Sequence, residues 1–470
     1  MRYLWIFVIF FSGCVPIPKE RFGSHILPSV SLDRTIEEGV TSGVIVSGDL
    51  RCSNWWEMFG DSQLNDLIEK GLLQNPSLQE AFAKVIASLE EAKVQRSFLF
   101  PTVDYYTNVN WQHLAKYGFF RAFAPTIPAN VTETTLGLDF SYEFDFWGKW
   151  RQLYQGALGR AFAQEAERSQ TEILISTSIA AAYFRLQTDL QEWQILEEQQ
   201  EVLQSLLSLR KQREKNAIDS IDQILAVEKV LFTLQKQINV TSQNIRTDKH
   251  LLLSLIGEGP EDDSFDLKNL FVPPQIPIPM SVASDLLAFR PDLMAQIWKV
   301  EAATQEVGAA KTDFYPNIDL VGLGGLDTVF IRKLFTAGSL ASSVTPALHL
   351  PIFTAGRIRA NLETKRAMLE QEIAHYNWLL LNAAKEVADQ IVTLKTANEN
   401  LNVQLSLVQN RKEVQDWVKN RYKHAISNSL ELLDATWDLL QEQLSEKEAQ
   451  YDLYLASILL IKALGGGWNG

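Results

Sequence analysis

At 470 residues, 46% apolar and 21% charged, the chain has the composition of an ordered protein with room for two or three domains, which excludes intrinsic disorder. Its formal charge of -14 excludes nucleic acid as a partner, because phosphate binding needs clustered surplus lysine and arginine. Only Cys14 and Cys52 are present, so neither a disulfide framework nor a cysteine-based metal site can be read.

At the N-terminus, Met1-Arg2, a short apolar run from Tyr3 to Phe11 and Ser12-Gly13-Cys14 have the layout of a bacterial lipoprotein export signal. The run is too short to span a bilayer, which needs roughly 20 apolar residues. Residues 1–13 are therefore expected to be removed and Cys14 to carry a covalent lipid, with 14–54 as a linker. No other stretch is long and charge-free enough for a membrane helix, so any crossing of a membrane must be made by strands.

The segment from Leu64 to about Phe98 is helix-patterned and stops before Pro101. The period then becomes two. From Thr135 to Phe146, Leu136, Leu138, Phe140, Tyr142, Phe144 and Phe146 fall on one face, with Asp139, Glu143 and Asp145 on the other. Such a strand suits a soluble amphipathic sheet or a barrel with lipid outside and water inside, and its length favours the barrel. Val103 to His113 completes a hairpin with it. From Trp150 to about Glu214 a helical pattern runs on for what would be about 100 Å at 1.5 Å per residue. In the return segment Ile224, Leu231, Ile238, Ile245 and Leu252 recur every seven residues, the mark of a left-handed coiled coil.

The same order is then written again. Asn75-Pro76-Ser77-Leu78 matches Arg290-Pro291-Asp292-Leu293, and Phe100-Pro101 matches Tyr315-Pro316, at an offset of 215; Leu252 to Gly259 matches Leu460 to Gly467 at 208. The Pro-rich stretch from Pro273 to Pro279 reads as a linker. Two repeats follow, 55–264 and 281–470, joined by 265–280. The second predicts a helix from Val282 to about Phe314, strands Ile318 to Leu326 and Leu340 to Ile352, and a long helix from Ile358 to about Tyr422. Leu432, Leu439, Leu453 and Leu460 continue the heptads, with Glu446 the exception. Four strands cannot close a barrel, and open edges in hydrocarbon cost several kcal/mol per unpaired backbone group. Closure must come from other copies, and three would give twelve strands, within the known range.

The motifs Trp55-Trp56-Glu57-Met58-Phe59-Gly60-Asp61, Asn75-Pro76, Tyr142 to Lys149 (YEFDFWGK), Arg290-Pro291-Asp292-Leu293, Tyr315-Pro316, Gly356-Arg357, Arg421-Tyr422 and Ala463 to Trp468 (ALGGGW) resemble, in order, the outer-membrane factor family of TolC-like proteins and its NodT-type lipoprotein branch. The resemblance covers about residues 55–468. It implies a mainly α fold with transmembrane β, in which a long coiled-coil α-helical barrel continues a trimeric twelve-stranded β-barrel. It also implies a homotrimer held in outer-membrane lipid by the lipid on Cys14 and extending into the periplasm. The expected function is a passive exit duct for drugs or small solutes. A periplasmic adaptor protein would dock on it and link it to an inner-membrane transporter of the resistance-nodulation-division type.

A duct needs a wall, a gate and a docking surface rather than a catalytic set. No Ser/His/Asp arrangement, HExxH motif or phosphate-binding glycine loop is present, and no enzyme activity, metal or cofactor beyond the lipid is expected. The resemblance places the periplasmic aperture at Glu431 and Asp434, three apart on one helix face, with Asp222 as a weaker counterpart. It places adaptor docking on two turns, at Ala217, Ile218 and Asp219 and at Ala425, Ile426 and Ser427. The family usually carries glycine where Ala217 and Ala425 stand. Basic runs at Arg210 to Lys215 and Lys419 to Lys423 precede the turns and would suit an acidic adaptor surface. Two other readings stay open: an outer-membrane channel for type I protein secretion, and a periplasmic coiled-coil scaffold with soluble sheets.

Overall fold

The computed structural model describes residues 17–18, 23, 25–28, 30–41, 45–47, 54–261, 276–278 and 290–466. The signal segment 1–13, Cys14, residues 282–289 of the helix predicted from Val282, and Gly467 and Trp468 of the last motif lie outside the described residues. Among the described residues no helix is long and apolar enough to cross a membrane.

The described elements are α1 (Asp33–Thr41), β1 (Ile45–Ser47), α2 (Ser62–Gln74), α3 (Pro76–Ser97), β2 (Thr102–His113), α4 (Phe119–Phe123), β3 (Asn130–Glu143), α5 (Lys149–Lys215), α6 (Ile221–Leu255), β4 (Ile276–Ile278), α7 (Pro291–Thr312), β5 (Asn317–Thr328), β6 (Leu340–His349), α8 (Arg357–Lys423) and α9 (Ser429–Ala463), with a 3-10 turn at Trp55–Phe59 before α2. Corresponding helices have equal lengths: α3 and α7 have 22 residues, α5 and α8 have 67, and α6 and α9 have 35. Where one helix was expected from Leu64 to Phe98, two are found. Asn75 precedes a proline, which bars it from helical backbone, and it sits extended at φ -64, ψ 123.

Contacts divide the chain into two units, each drawing on both repeats. The first comprises Val85–Ala163 and Gln296–His375 with the described residues up to Ile26. It holds the four-stranded antiparallel sheet, in the order β2-β3-β5-β6. β3 stops at Glu143, short of the expected Phe146, because Asp145 turns away to accept hydrogen bonds at 3.0 Å from the amide nitrogens of Trp150 and Arg151 at the start of α5. Likewise β6 ends at His349, just before Pro351. The helical part of this unit packs closely: a Cβ on Gly159 would sit 3.2 Å from Ala302 Cβ, and one on Gly156 3.2 Å from the Ala302 carbonyl oxygen. The core beneath is Val307, Ala310, Phe314, Ile358 and Leu362.

The second unit comprises Leu27–Lys84, Gln164–Ala295 and Tyr376–Gly470. Its main core gathers Trp55, Phe59, Tyr183, Phe184, Leu252, Ile256, Tyr454 and Leu460, with Phe184 stacked on Tyr454 at 4.3 Å. Each large side chain so buried contributes roughly 2–3 kcal/mol. A second cluster joins Leu196, Leu203 and Leu206 of α5 to Leu234 and Ile238 of α6, with Leu433 and Trp437 of α9 packed against it. The heptad positions Ile224, Ile238, Leu252, Leu439, Leu453 and Leu460 are buried, as a coiled-coil seam requires.

The motifs that carry the resemblance hold this unit together. Gly60 adopts φ 65 to end the 3-10 turn, and Asp61 caps α2 while accepting the Tyr183 hydroxyl at 2.7 Å. Asn75 Nδ2 donates to the carbonyl of Leu255 at 2.7 Å, closing the C-terminal end of α6. Its counterpart Arg290 donates to the carbonyl of Ala463 at 2.9 Å, closing α9 at the equivalent place. Different side chains thus satisfy the same orphan carbonyl in the two repeats.

Candidate functional site

The pairing register sorts the sheet into two chemically opposed faces. Val103 lies opposite Phe140, Tyr105 opposite Leu138, Leu326 opposite Leu340 and Gly322 opposite Val344, so these groups share one face. Much of it is open: Tyr105 is 65% exposed, Trp111 63% and Val344 73%. The other face carries Asp104, Glu133, Asp139, Glu143, Asp319 and Asp327, with no lysine or arginine in the four strands. Asp104 stands directly opposite Asp139, and Glu143 opposite Asp319, pairings that repel unless water lies between and around them. A broad exposed apolar face is unstable in water, and a carboxylate face is unstable in lipid. A wall with lipid on one side and water on the other satisfies both. Asp145, expected on the watery face, is the helix cap described above.

Among the described residues the edge strands β2 and β6 each leave one row of backbone groups without a partner strand. In hydrocarbon that condition costs several kcal/mol per group and demands another strand.

The expected aperture carboxylates differ in their surroundings. Glu431 belongs to a capping arrangement: its amide donates to Asn428 Oδ1 at 3.0 Å, and its carboxylate accepts from Asn428 Nδ2 at 3.3 Å and from the Ser427 hydroxyl. Asp434 is pushed above the ordinary carboxylate range by burial, opposed by the Arg210 charge and assisted by Asp438. Asp222 stands exposed in the first turn of α6, where its charge complements the helix dipole.

The two turns expected to dock a partner share one geometry. Ala217 and Ala425 take φ 55 and 57, left-handed values that strain a Cβ. Ile218 N–H donates to the Arg213 carbonyl and Ile426 N–H to that of Arg421, both at 2.9 Å. This leaves Ile218 63% and Ile426 66% exposed. Asp219 is not offered outward. Its carboxylate accepts from Arg210 Nη1 at 3.1 Å and Arg213 Nε at 3.0 Å, and these bonds, Arg213 first, hold it below the usual range. Lys211 pairs with Glu228 at 2.9 Å. Three cations of the first basic run, Arg210, Lys211 and Arg213, are therefore paired within the chain. In the second turn Ser427 is engaged by Glu431, and Arg421 lies over the Trp417 ring at 4.5 Å.

One cluster escaped the sequence reading. Arg185 of α5 pairs with Asp189 at 2.8 Å, lies 5.1 Å from the Tyr451 ring of α9, and approaches Glu448 at 3.9 Å. The Asp189 carboxylate is enclosed, and its pKa is raised by burial and by hydrogen bonding to Asp248 of α6, against the pull of Arg185. Burial pushes Glu192 up to about 7. The available signal was an Arg/Asp pair at i, i+4 within Ile179 to Leu190, a run whose first six residues, Ile179 to Phe184, carry no charge. Among the described residues no His, Cys, Asp and Glu group is arranged to hold a metal ion.

Comparison with known proteins follows this geometry. The family model described as outer membrane efflux protein matches residues 67–258 and 282–466. The chain is similar to the multidrug resistance outer membrane protein MdtP of Escherichia coli O6:H1, 30% identical over 431 residues, covering 89% of this chain and 87% of MdtP. Among solved structures, the outer membrane protein VceC of Vibrio cholerae is 28% identical with a TM-score of 0.77, covering 88% of this chain and 99% of VceC. The CmeC outer membrane channel of Campylobacter jejuni shares the fold at a TM-score of 0.82 and 22% identity, covering 97% of this chain and 94% of CmeC.

Proposed function

The chain belongs to the outer membrane efflux protein family, and from that membership we infer that it is the outer-membrane channel subunit of a multidrug or solute efflux system. The observation that carries the reading is the sheet with an exposed apolar face, a carboxylate face and two open edges. Three copies of the four-stranded sheet would close a twelve-stranded barrel, pairing every edge and turning the carboxylates to the lumen. The duct is passive and catalyses no reaction. Its lumen would favour cationic and neutral solutes over anions. Cys14 carries the acyl anchor. Glu431 and Asp434, with Asp222, line the periplasmic aperture. The turns at Ala217 and Ala425 meet a periplasmic adaptor, with Ile218 and Ile426 as the contact groups, and the adaptor links the duct to an inner-membrane transporter of the resistance-nodulation-division type.

A deletion strain tested on a panel of unrelated small toxicants decides the matter. Raised sensitivity to several of them supports efflux. An unchanged panel with one secreted protein missing would transfer the chain to protein export, and release of the protein from membranes by alkali without detergent would restore the scaffold reading.

A further inference from the structure

The helices reach the sheet at one end of its strands: four residues separate α3 from β2, and five separate β3 from α5. At the opposite end of the strands lie the two hairpin connections, 114–129 and 329–339. They fall together because Thr134 of β3 pairs with Thr328 of β5. Their composition departs from that of the chain. The whole protein has a formal charge of -14, yet these two connections hold no aspartate or glutamate and four cations: Lys116, Arg121, Arg332 and Lys333. Among the cations stand open aromatic rings: Tyr117 at 87% exposed, Phe123 at 81% and Phe335 at 82%, with Phe119, Phe120 and Phe330 also exposed. Lys116 lies 5.6 Å from the Tyr117 ring and Lys333 5.7 Å from that of Phe330, so charge and ring are presented side by side. The apolar face of the sheet runs into these connections through Trp111 and Leu340.

We propose that the two hairpin connections form a docking surface for a phosphorylated glycolipid of the outer leaflet, the cations taking the phosphates and the rings the acyl chains. A water-facing loop has no use for so many open rings, and a contact with neutral lipid has no use for four cations. A surface of anionic headgroups over acyl chains satisfies both. The proposal rests on the outer-membrane reading above, because that reading turns this end of the strands toward the outer leaflet.

The test uses the full-length protein purified in mild detergent, with phosphorylated lipid A and its enzymatically dephosphorylated form as probes in mixed micelles. Wild-type protein is expected to retain the phosphorylated form and to lose it as salt is raised. Arg332→Gln with Lys333→Gln should weaken retention about 25-fold, from about fivefold per cation near a charged surface. Equal retention of the two lipids by wild-type protein would overturn the proposal, and that comparison stands even if the double variant fails to fold. A double variant with undiminished lipid retention but altered oligomeric state would overturn it too, assigning these connections to contacts between copies. Outer-membrane fractionation of the wild type reports separately on the localisation from which the proposal starts.

Discussion

Arg290 offers a direct check on the duplicated architecture. Its guanidinium, 9% exposed, donates to the Ala463 carbonyl, to Asp292 at 2.7 Å and to Glu386 at 2.9 Å. Replacing it with leucine leaves a buried helix-end carbonyl without its donor, at about 1–3 kcal/mol. Asp292, at 22% exposed, loses its cation for about 1 kcal/mol more, while Glu386 is 54% exposed and returns to water at little cost. The expected loss is about 3 kcal/mol. At roughly 2.1 cal/mol/K per residue, a cooperative unit of 470 residues loses about 1 °C of melting temperature per kcal/mol, so Arg290→Leu should melt about 3 °C lower. Arg290→Asn places in the second repeat the side chain that performs the same task at Asn75 in the first. It should recover about 1 kcal/mol, hence about 1 °C over the leucine variant. Circular dichroism melts of the detergent-solubilised protein at one fixed scan rate compare the three. A leucine variant indistinguishable from wild type, or an asparagine variant no better than leucine, would refute the shared capping geometry.

Three further outcomes are expected. Because Asp189 and Glu192 have raised folded-state pKa values, the native state binds more protons than the unfolded chain, and stability falls as pH rises from about 4.5 toward about 7. For Glu192 this is on the order of 3 kcal/mol, so melts at pH 5 should exceed those at pH 8, and Glu192→Gln should flatten the difference; a flat wild-type profile would contradict the buried cluster. Ala217→Gly and Ala425→Gly relieve left-handed strain at φ 55 and 57, and each should stabilise its turn by about 0.5–1 kcal/mol, read as slower local hydrogen exchange; faster exchange would count against the strain. Gly159→Val puts bulk where even a Cβ would lie 3.2 Å from Ala302 and should destabilise by about 2 kcal/mol, seen as a lowered melting temperature, whereas an unchanged melt would mean that α5 and α7 have room to separate there.

Most of what was legible in the sequence was periodic. Alternation located the strands, and the seven-residue spacing of Ile224 to Leu252 located the seam of α6, because a period states which residues share a face before any partner is known. The αL turns were legible as equivalent positions, though not the strain that alanine brings to them. Polar residues near element ends were read less well. Asp145 alternates with the strand yet turns away to cap α5, Asp219 is enclosed by two arginines, and Glu431 takes part in the Asn428 cap. Such a side chain has several partners within reach, and local spacing does not rank them.

The sequence by itself determined the order of the main helices and strands, their duplication and the two-faced character of the strands, since each follows from the local period of the backbone. Only the tertiary structure decided which groups meet across long separations: Arg290 with Ala463, Asn75 with Leu255, Arg185 with Tyr451, and the two basic hairpin connections at one end of the strands. Those meetings depend on how helices and strands pack in three dimensions, where Arg290 and Ala463 are neighbours although 173 residues apart along the chain.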